Sequence, residues 1–195
     1  MEGKQLDHQK IRTFIAVHVP DRVRSKIAEF QNRLKPFGCD VRWVRPESIH
    51  VTLKFLGDVR AEQIGGIAES IRKAVESLDS FDVLVGGAGV FPDARRPRVL
   101  WIGVQKGSEE LIVLASKIED VCSKFNFKKE MRAFSAHLTI GRVRSPKGIA
   151  SLMEAMQTIG FEGGSYPVEE IVVMKSDLQQ TGAVYTPLHR IKLQG

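Results

Sequence analysis

The chain has 195 residues, 43% of them hydrophobic and 27% charged, with a formal net charge of +6. That length suits one sizeable domain or two small lobes sharing a core, and the composition is that of an ordinary soluble globular protein whose positive charge favours anionic partners, nucleic acid first. No apolar run approaches the roughly 20 residues of a membrane span, the polar stretch Met1–Lys10 lacks the apolar core of a secretory signal, and Cys39 and Cys122 are too isolated for a disulfide framework or zinc cluster, so a reducing, cytoplasmic setting is expected.

In chain order, Ile11-Arg-Thr-Phe-Ile-Ala-Val17 reads as a strand. Pro20-Asp21 then opens a helix whose apolar residues Val23, Ile27, Phe30 and Leu34 recur at steps of four, three and four, and Pro36 and Gly38 end it. Ser48-Ile-His-Val-Thr-Leu-Lys-Phe-Leu-Gly57 is a strand with two unlike faces. Side chains alternate along a strand, so His50, Thr52 and Lys54 share one side and Val51, Leu53 and Phe55 the other. Ile64, Ile67, Ile71, Val75 and Leu78 mark a second helix, and Phe81–Val85 a strand running into Gly86-Gly-Ala-Gly89. After a turn over Phe91–Pro97, Arg98–Val104 predicts a strand. Leu111, Leu114, Ile118, Val121 and Phe125 then predict a helix, and Ala136–Val143 another strand. A shorter helix (Ile149, Leu152, Met156, Ile159), a strand over Val168–Leu178 and a last strand or hairpin over Val184–Leu193 complete the pattern.

His137-Leu-Thr139 repeats His50-Val-Thr52 at an offset of 87 residues. The preceding strand keeps that offset, with Ile11 over Arg98, Phe14 over Trp101 and Val17 over Val104. So do the helices between, with Ile27 over Leu114 and Leu34 over Val121, and Phe81–Phe91 overlays Val168–Leu178. Two copies of one unit, about 11–91 and 98–178, predict a single bilobal domain over 1–195, packed about an approximate twofold axis so that equivalent residues face one another. A lone H-x-T on a strand is more often structural than functional. Two copies at matching places on duplicated strands point instead to one shared site.

These features resemble the two-histidine phosphoesterase superfamily, and within it the LigT-like RNA 2′,3′-cyclic phosphodiesterases, also called 2′-5′ RNA ligases. The likeness is carried by "RTFIAV" near the start, "RWVRPESIHVTLKFLGDV" (Arg42–Val59), "GVFPDARRPRVLWIGV" (Gly89–Val104), "FSAHLTIGRV" (Phe134–Val143) and "SDLQQTGAVYTPL" (Ser176–Leu188), blocks spread over nearly the whole chain. It implies an α+β fold of two pseudo-symmetric lobes, each an antiparallel sheet with helices on the outside, flanking a central cleft that contains both motifs. It implies hydrolysis of RNA 2′,3′-cyclic phosphate ends to 2′-phosphate, with 2′-5′ ligation as the reverse direction. The partners expected are RNA with such an end or a related cyclic nucleotide, with no cofactor, no membrane and a monomeric chain.

Opening a cyclic phosphate by in-line displacement needs a base on the attacking water and an acid on the leaving oxygen, on opposite sides of phosphorus. Two imidazoles related by a twofold axis meet that demand, because an unperturbed pKa of about 6.5 lets one be neutral while the other is cationic. His50 and His137 are therefore the candidate catalytic pair. Thr52 and Thr139, one pleat from each, are placed to donate hydrogen bonds to the non-bridging oxygens. The resemblance implies that His50 protonates the departing 3′ oxygen and His137 activates water, although pseudo-symmetry allows the reverse. Neither histidine has a carboxylate or thiol at ligand-like spacing, so no metal site is expected.

Two further phosphate contacts are candidates. Lys54 shares the His50 face by parity. Arg142 falls by strict alternation on the Leu138/Ile140 side and reaches the cleft only if a bulge at Gly141 turns it. Trp43 and Tyr185 are candidate stacking platforms for a base, whereas Phe55 and Trp101 read as core. Arg95, Arg96 and Arg98 crowd a turn that reads as a solvated basic loop, and His8, His18 and His189 as surface or local structural residues. The competing readings are a phosphodiesterase of small cyclic phosphates (an ADP-ribose derivative) or 2′-5′ oligonucleotides, and an RNA-binding module without catalysis. Intact copies of both histidines and both threonines argue against the second.

Overall fold

The computed structural model describes residues 9–180 and 182–195, so His8 lies outside the described residues. Among them, the first repeat forms β1 (Lys10–His18), α1 (Asp21–Leu34), β2 (Val41–Trp43), β3 (His50–Arg60), α2 (Ala61–Val75) and β4 (Phe81–Phe91). The second forms β5 (Val99–Lys106), α3 (Ser108–Lys124), β6 (His137–Val143), α4 (Ile149–Ile159), β7 (Glu162–Val168) and β8 (Glu170–Gln179), and β9 (Gly182–Lys192) follows. The α+β class is as the sequence implied.

Helix periodicity lands where the apolar spacing puts it. Val23, Ile27, Phe30 and Leu34 of α1 and Leu111, Leu114, Ile118 and Val121 of α3 are all buried, forming stripes that face the sheet. The second helix stops at Val75; Leu78 lies beyond it, its backbone N–H turned back to the Val75 carbonyl at 2.9 Å. Two strands had no legible pattern. Three-residue β2 is too short to show alternation, and β7 contains Gly163, Gly164 and Pro167, tolerated because it pairs only with β4 at the sheet's edge. Conversely β4 continues as a strand through Gly86–Gly89. A Cβ on Gly89 would stand 2.3 Å from the Trp101 ring, so glycine lets that indole lie flat across the strand.

All the paired strands run antiparallel, in the order β7-β4-β5-β6-β3-β1-β8-β9, with β2 added on β6. The halves of this sheet are not the two repeats. The last strand of the first repeat, β4, pairs with β5 of the second, and β8 returns to pair with β1. Each lobe is thus closed by a strand exchanged from the other repeat, since β4 and β5 are sequence neighbours joined by a short turn and pair as a hairpin. Among the described residues one pair, Val51 with Leu138, joins β3 to β6. These are the central residues of the two H-x-T motifs, so the pseudo-twofold axis passes between them.

Two bulges break the strict alternation assumed above. In β3 the pairing with β1 steps from Ile15–Lys54 to Ala16–Thr52, leaving Leu53 without a partner. In β6 the pairing with β5 steps from Leu100–Gly141 to Trp101–Thr139, leaving Ile140 unpaired. The bulged residues are themselves 87 apart, so the irregularity is part of the repeat. Each bulge reverses the faces beyond it. Lys54 turns inward and is 3% exposed, while Phe55 turns out to the His50 side and is 45% exposed. Arg142, at the position equivalent to Phe55, is turned to the His137 side in the same way. Gln31 of α1 holds the second bulge, its buried Nε2 donating to the Val44 carbonyl at 2.8 Å and the Ile140 carbonyl at 2.9 Å.

The expectations for Lys54 and Phe55 are therefore exchanged. Lys54 does not share the cleft: its Nζ donates to Glu119 Oε1 at 2.8 Å and to the Lys128 carbonyl at 2.9 Å, and Glu119 also accepts from the Glu130 backbone N–H. It pins the loop that leads into β6. Lys54→Met is predicted to cost about 3 kcal/mol of stability in urea unfolding, because it leaves a largely buried carboxylate uncompensated. A KM effect larger than the stability effect would return Lys54 to the substrate.

Candidate active site

One concave cleft, about 510 Å³, opens on the sheet face above the Val51–Leu138 pair, and His50, Thr52, His137, Thr139 and Arg142 all line it. The antiparallel register explains the grouping. With Val51 opposite Leu138 and both pointing into the core, the flanking side chains must all point the other way, His50 toward Thr139 and Thr52 toward His137. Four polar side chains from two distant stretches thus surround one spot.

The imidazoles are oriented alike. His50 Nδ1 lies 2.8 Å from the Ser48 carbonyl and His137 Nδ1 2.7 Å from the Ser135 carbonyl. A carbonyl only accepts, so Nδ1 carries the proton in both rings. Nε2 remains for the cleft, as acceptor when the ring is neutral and donor when it is cationic. Their surroundings differ. His50 sits between Phe14 (centroids 4.7 Å) and Tyr185 (5.1 Å), whereas His137 meets the edge of Phe91 at 5.0 Å. Burial pushes His50 down to about 4 against the opposing hydrogen bond to Ser48, and the Arg24, His137 and Arg142 charges push it the same way.

The rim is cationic. Arg12, Arg42, Arg45 and Arg142 line the cleft, and no carboxylate does among the described residues. Arg42 and Arg142 are direct cross-strand partners in the β2–β6 pairing. Like charges directly opposite in a sheet are destabilising, and an anion between them reverses the sign. Arg142→Gln should accordingly raise the KM for a phosphate substrate about 10- to 100-fold, the value of a charge-assisted hydrogen bond, while leaving the free protein no less stable. A variant with unchanged KM removes Arg142 from the phosphate.

Sequence reasoning missed Arg12, Phe14, Arg42 and Arg45. Arg12 and Phe14 sit two apart on β1, a period-2 signal that was available, but an arginine at the end of a strand reads as solvated. The Arg12 guanidinium lies 4.5 Å from the centre of the Phe55 ring, so the two together form a cationic, aromatic wall. Trp43 and Tyr185 do line the cleft. Trp101 packs over Gly89 and against Phe91, outside the cleft lining. Arg95 and Arg96 form an exposed turn whose backbone N–H groups bond Asp93, and neither they nor Arg98 line the cleft. His18 contacts Arg24 Nη2 at 3.3 Å. Among the described residues no three His, Cys, Asp or Glu side chains gather as metal ligands, and no helix is long and apolar enough to cross a membrane.

The model of the LigT-like phosphoesterase family matches this chain twice, over residues 17–101 and 102–185. The chain belongs to that family. LigT-like relatives of similar length include the RNA 2′,3′-cyclic phosphodiesterase of Methanothermobacter thermautotrophicus, 34% identical over 94% of this chain and 100% of its own. That of Thermotoga maritima is 33% identical over 95% and 97%. Among solved structures, E. coli LigT complexed with 3′-AMP superposes with a TM-score of 0.79 at 26% identity, covering 95% of this chain and 99% of that one. The family's two matches fall one on each H-x-T motif, as the pseudo-twofold axis requires.

Proposed function

We propose that this LigT-like protein hydrolyses RNA 2′,3′-cyclic phosphate ends to 2′-phosphate by paired general acid–base catalysis through His50 and His137. The observation that carries the reading is the pair of alike-oriented imidazoles, related by the Val51–Leu138 axis, lining one arginine-rimmed cleft. Its support from relatives is the RNA 2′,3′-cyclic phosphodiesterase activity for which they are named.

In the reaction, water attacks phosphorus as its proton passes to His137 Nε2, the P–O3′ bond breaks, and the 3′ oxygen takes the proton of cationic His50 Nε2. Exchange with solvent resets both rings. Thr52, Thr139 and Arg142 hold the non-bridging oxygens, on which negative charge builds. A 5′-hydroxyl in the place of water gives 2′-5′ ligation, which is outrun by hydrolysis in dilute solution. Side chains supply the acid, the base and the oxyanion ligands, so the reaction is predicted to run in excess chelator. Burial keeps His50 neutral in the free protein, so its role as acid requires the negative phosphate between the rings to draw a proton onto it.

The experiment is incubation of the protein with a 2′,3′-cyclic nucleotide and with RNA bearing a cyclic end, in excess chelator, with product position read by phosphorus NMR. A 2′-phosphate supports the reading. A 3′-phosphate, or turnover only on adding a metal, overturns it.

A further inference from the structure

A second hollow, about 380 Å³, adjoins the cleft and shares Arg45, Ser48, His50 and Tyr185 with it. Sheet register builds its floor. Thr52 pairs with Ala16, Ala16 with Val172, and Val172 with Arg190, so these four form one row on the cleft side of β3, β1, β8 and β9. The next row runs Phe55, Phe14, Met174, Pro187. Three strand-to-strand steps put Arg190 about 14 Å from Thr52, with small and apolar side chains between. The far side is again cationic. Arg24 and Arg190 line the hollow, and Glu47 is its carboxylate, loosely set against Arg45 at 3.7 Å. Arg190 bonds Glu170, and Arg24 bonds Asp21 and contacts His18, but the Arg24 Nε is buried with no partner.

An apolar floor that ends in guanidinium groups and opens beside His50 has the chemistry of a nucleotide subsite. We propose that it holds the penultimate nucleotide of the RNA, with the base over Ala16, Val172 and Met174 and the connecting phosphodiester toward Arg190 and Arg24. This rests on the hydrolase reading above. There His50 serves the 3′ oxygen, so the terminal ribose lies on its side of phosphorus, and the chain continuing from that ribose leaves past His50 into this hollow. The substrate class is accordingly an RNA end of at least two nucleotides rather than a mononucleotide or a small cyclic phosphate.

The test compares kcat/KM on 2′,3′-cyclic AMP, on a diadenylate with a 2′,3′-cyclic end, and on ADP-ribose 1″,2″-cyclic phosphate. The variants are Arg190→Gln on the rim and Met174→Glu on the half-buried floor. The wild type should favour the dinucleotide over the mononucleotide by about tenfold or more, the effect of one charge-assisted phosphate contact. The preference should fall toward one in both variants and shrink with added salt. A wild-type ratio near one, or a ratio unmoved in both variants, overturns the subsite and leaves the phosphodiesterase reading intact, whereas a preference for the ADP-ribose derivative overturns the subsite and the RNA substrate together. No turnover of any cyclic phosphate overturns that reading itself.

Discussion

His50→Ala and His137→Ala should each lower kcat/KM on a 2′,3′-cyclic nucleotide by about 10²–10⁴-fold, the usual contribution of a positioned acid or base. Both rings are held by a backbone carbonyl two residues upstream, so the orientation of one does not depend on the other. The chemistry does depend on both. An acid without its base cannot complete the displacement, so the double variant should be little worse than the single ones. Thr52→Val and Thr139→Val should cost less, about tenfold each, since each removes one neutral hydrogen bond. Steady-state kinetics decide it: either histidine variant keeping more than a tenth of wild-type kcat/KM sinks the paired mechanism.

The second large effect is on pH dependence. His50 has a folded-state value of about 4, below the roughly 6.5 of an exposed histidine. Between those values the unfolded chain binds the proton and the folded protein does not. Stability should therefore be full above about pH 6.5, fall as the pH drops toward 4, and level off below it. The loss attributable to this one ring is about 3 kcal/mol. Urea unfolding at pH 7 and pH 4 measures it, and His50→Phe, which fills the site between Phe14 and Tyr185 without a titrating group, should flatten the difference. An equally steep fall in His50→Phe would place the cause elsewhere. Bound product gives the companion result. If phosphate draws the proton onto His50, the NMR titration of that ring must move upward from about 4 on adding a 2′-nucleotide. A ring that still titrates near 4 in the complex exchanges the two roles, with His50 as base and His137 as acid.

Much of the fold was legible because it rests on periodicity. The helices reveal their buried faces through steps of three and four, and the 87-residue offset shows that one unit occurs twice. The H-x-T pairs were legible for the same reason, since a two-residue spacing survives any strand. Two residues further on, the reasoning failed. The parity that placed His50 and Thr52 together misplaced Lys54 and Phe55, because Leu53 bulges and a bulge carries no signature in a run of apolar residues. At the equivalent place in β6 the glycine at 141 did signal an irregularity, and there the conditional expectation for Arg142 matched its position.

Arg12, Arg42 and Arg45 show the other limit. Each is an ordinary surface arginine in sequence, and only the pairing of β2 with β6 and of β1 with β3 brings them to one rim. The same holds for the exchange of β4 and β8 between lobes and for the unlike aromatic surroundings of two histidines that look identical in their motifs. Local alternation and repetition are written into the order of residues, so the chain alone determined its helices, most of its strands, its duplication and the four polar side chains at its centre. Register, strand exchange and burial are properties of segments far apart in the chain. Only the folded sheet could decide which cations rim the cleft, which aromatic ring faces it, and which imidazole is packed between Phe14 and Tyr185.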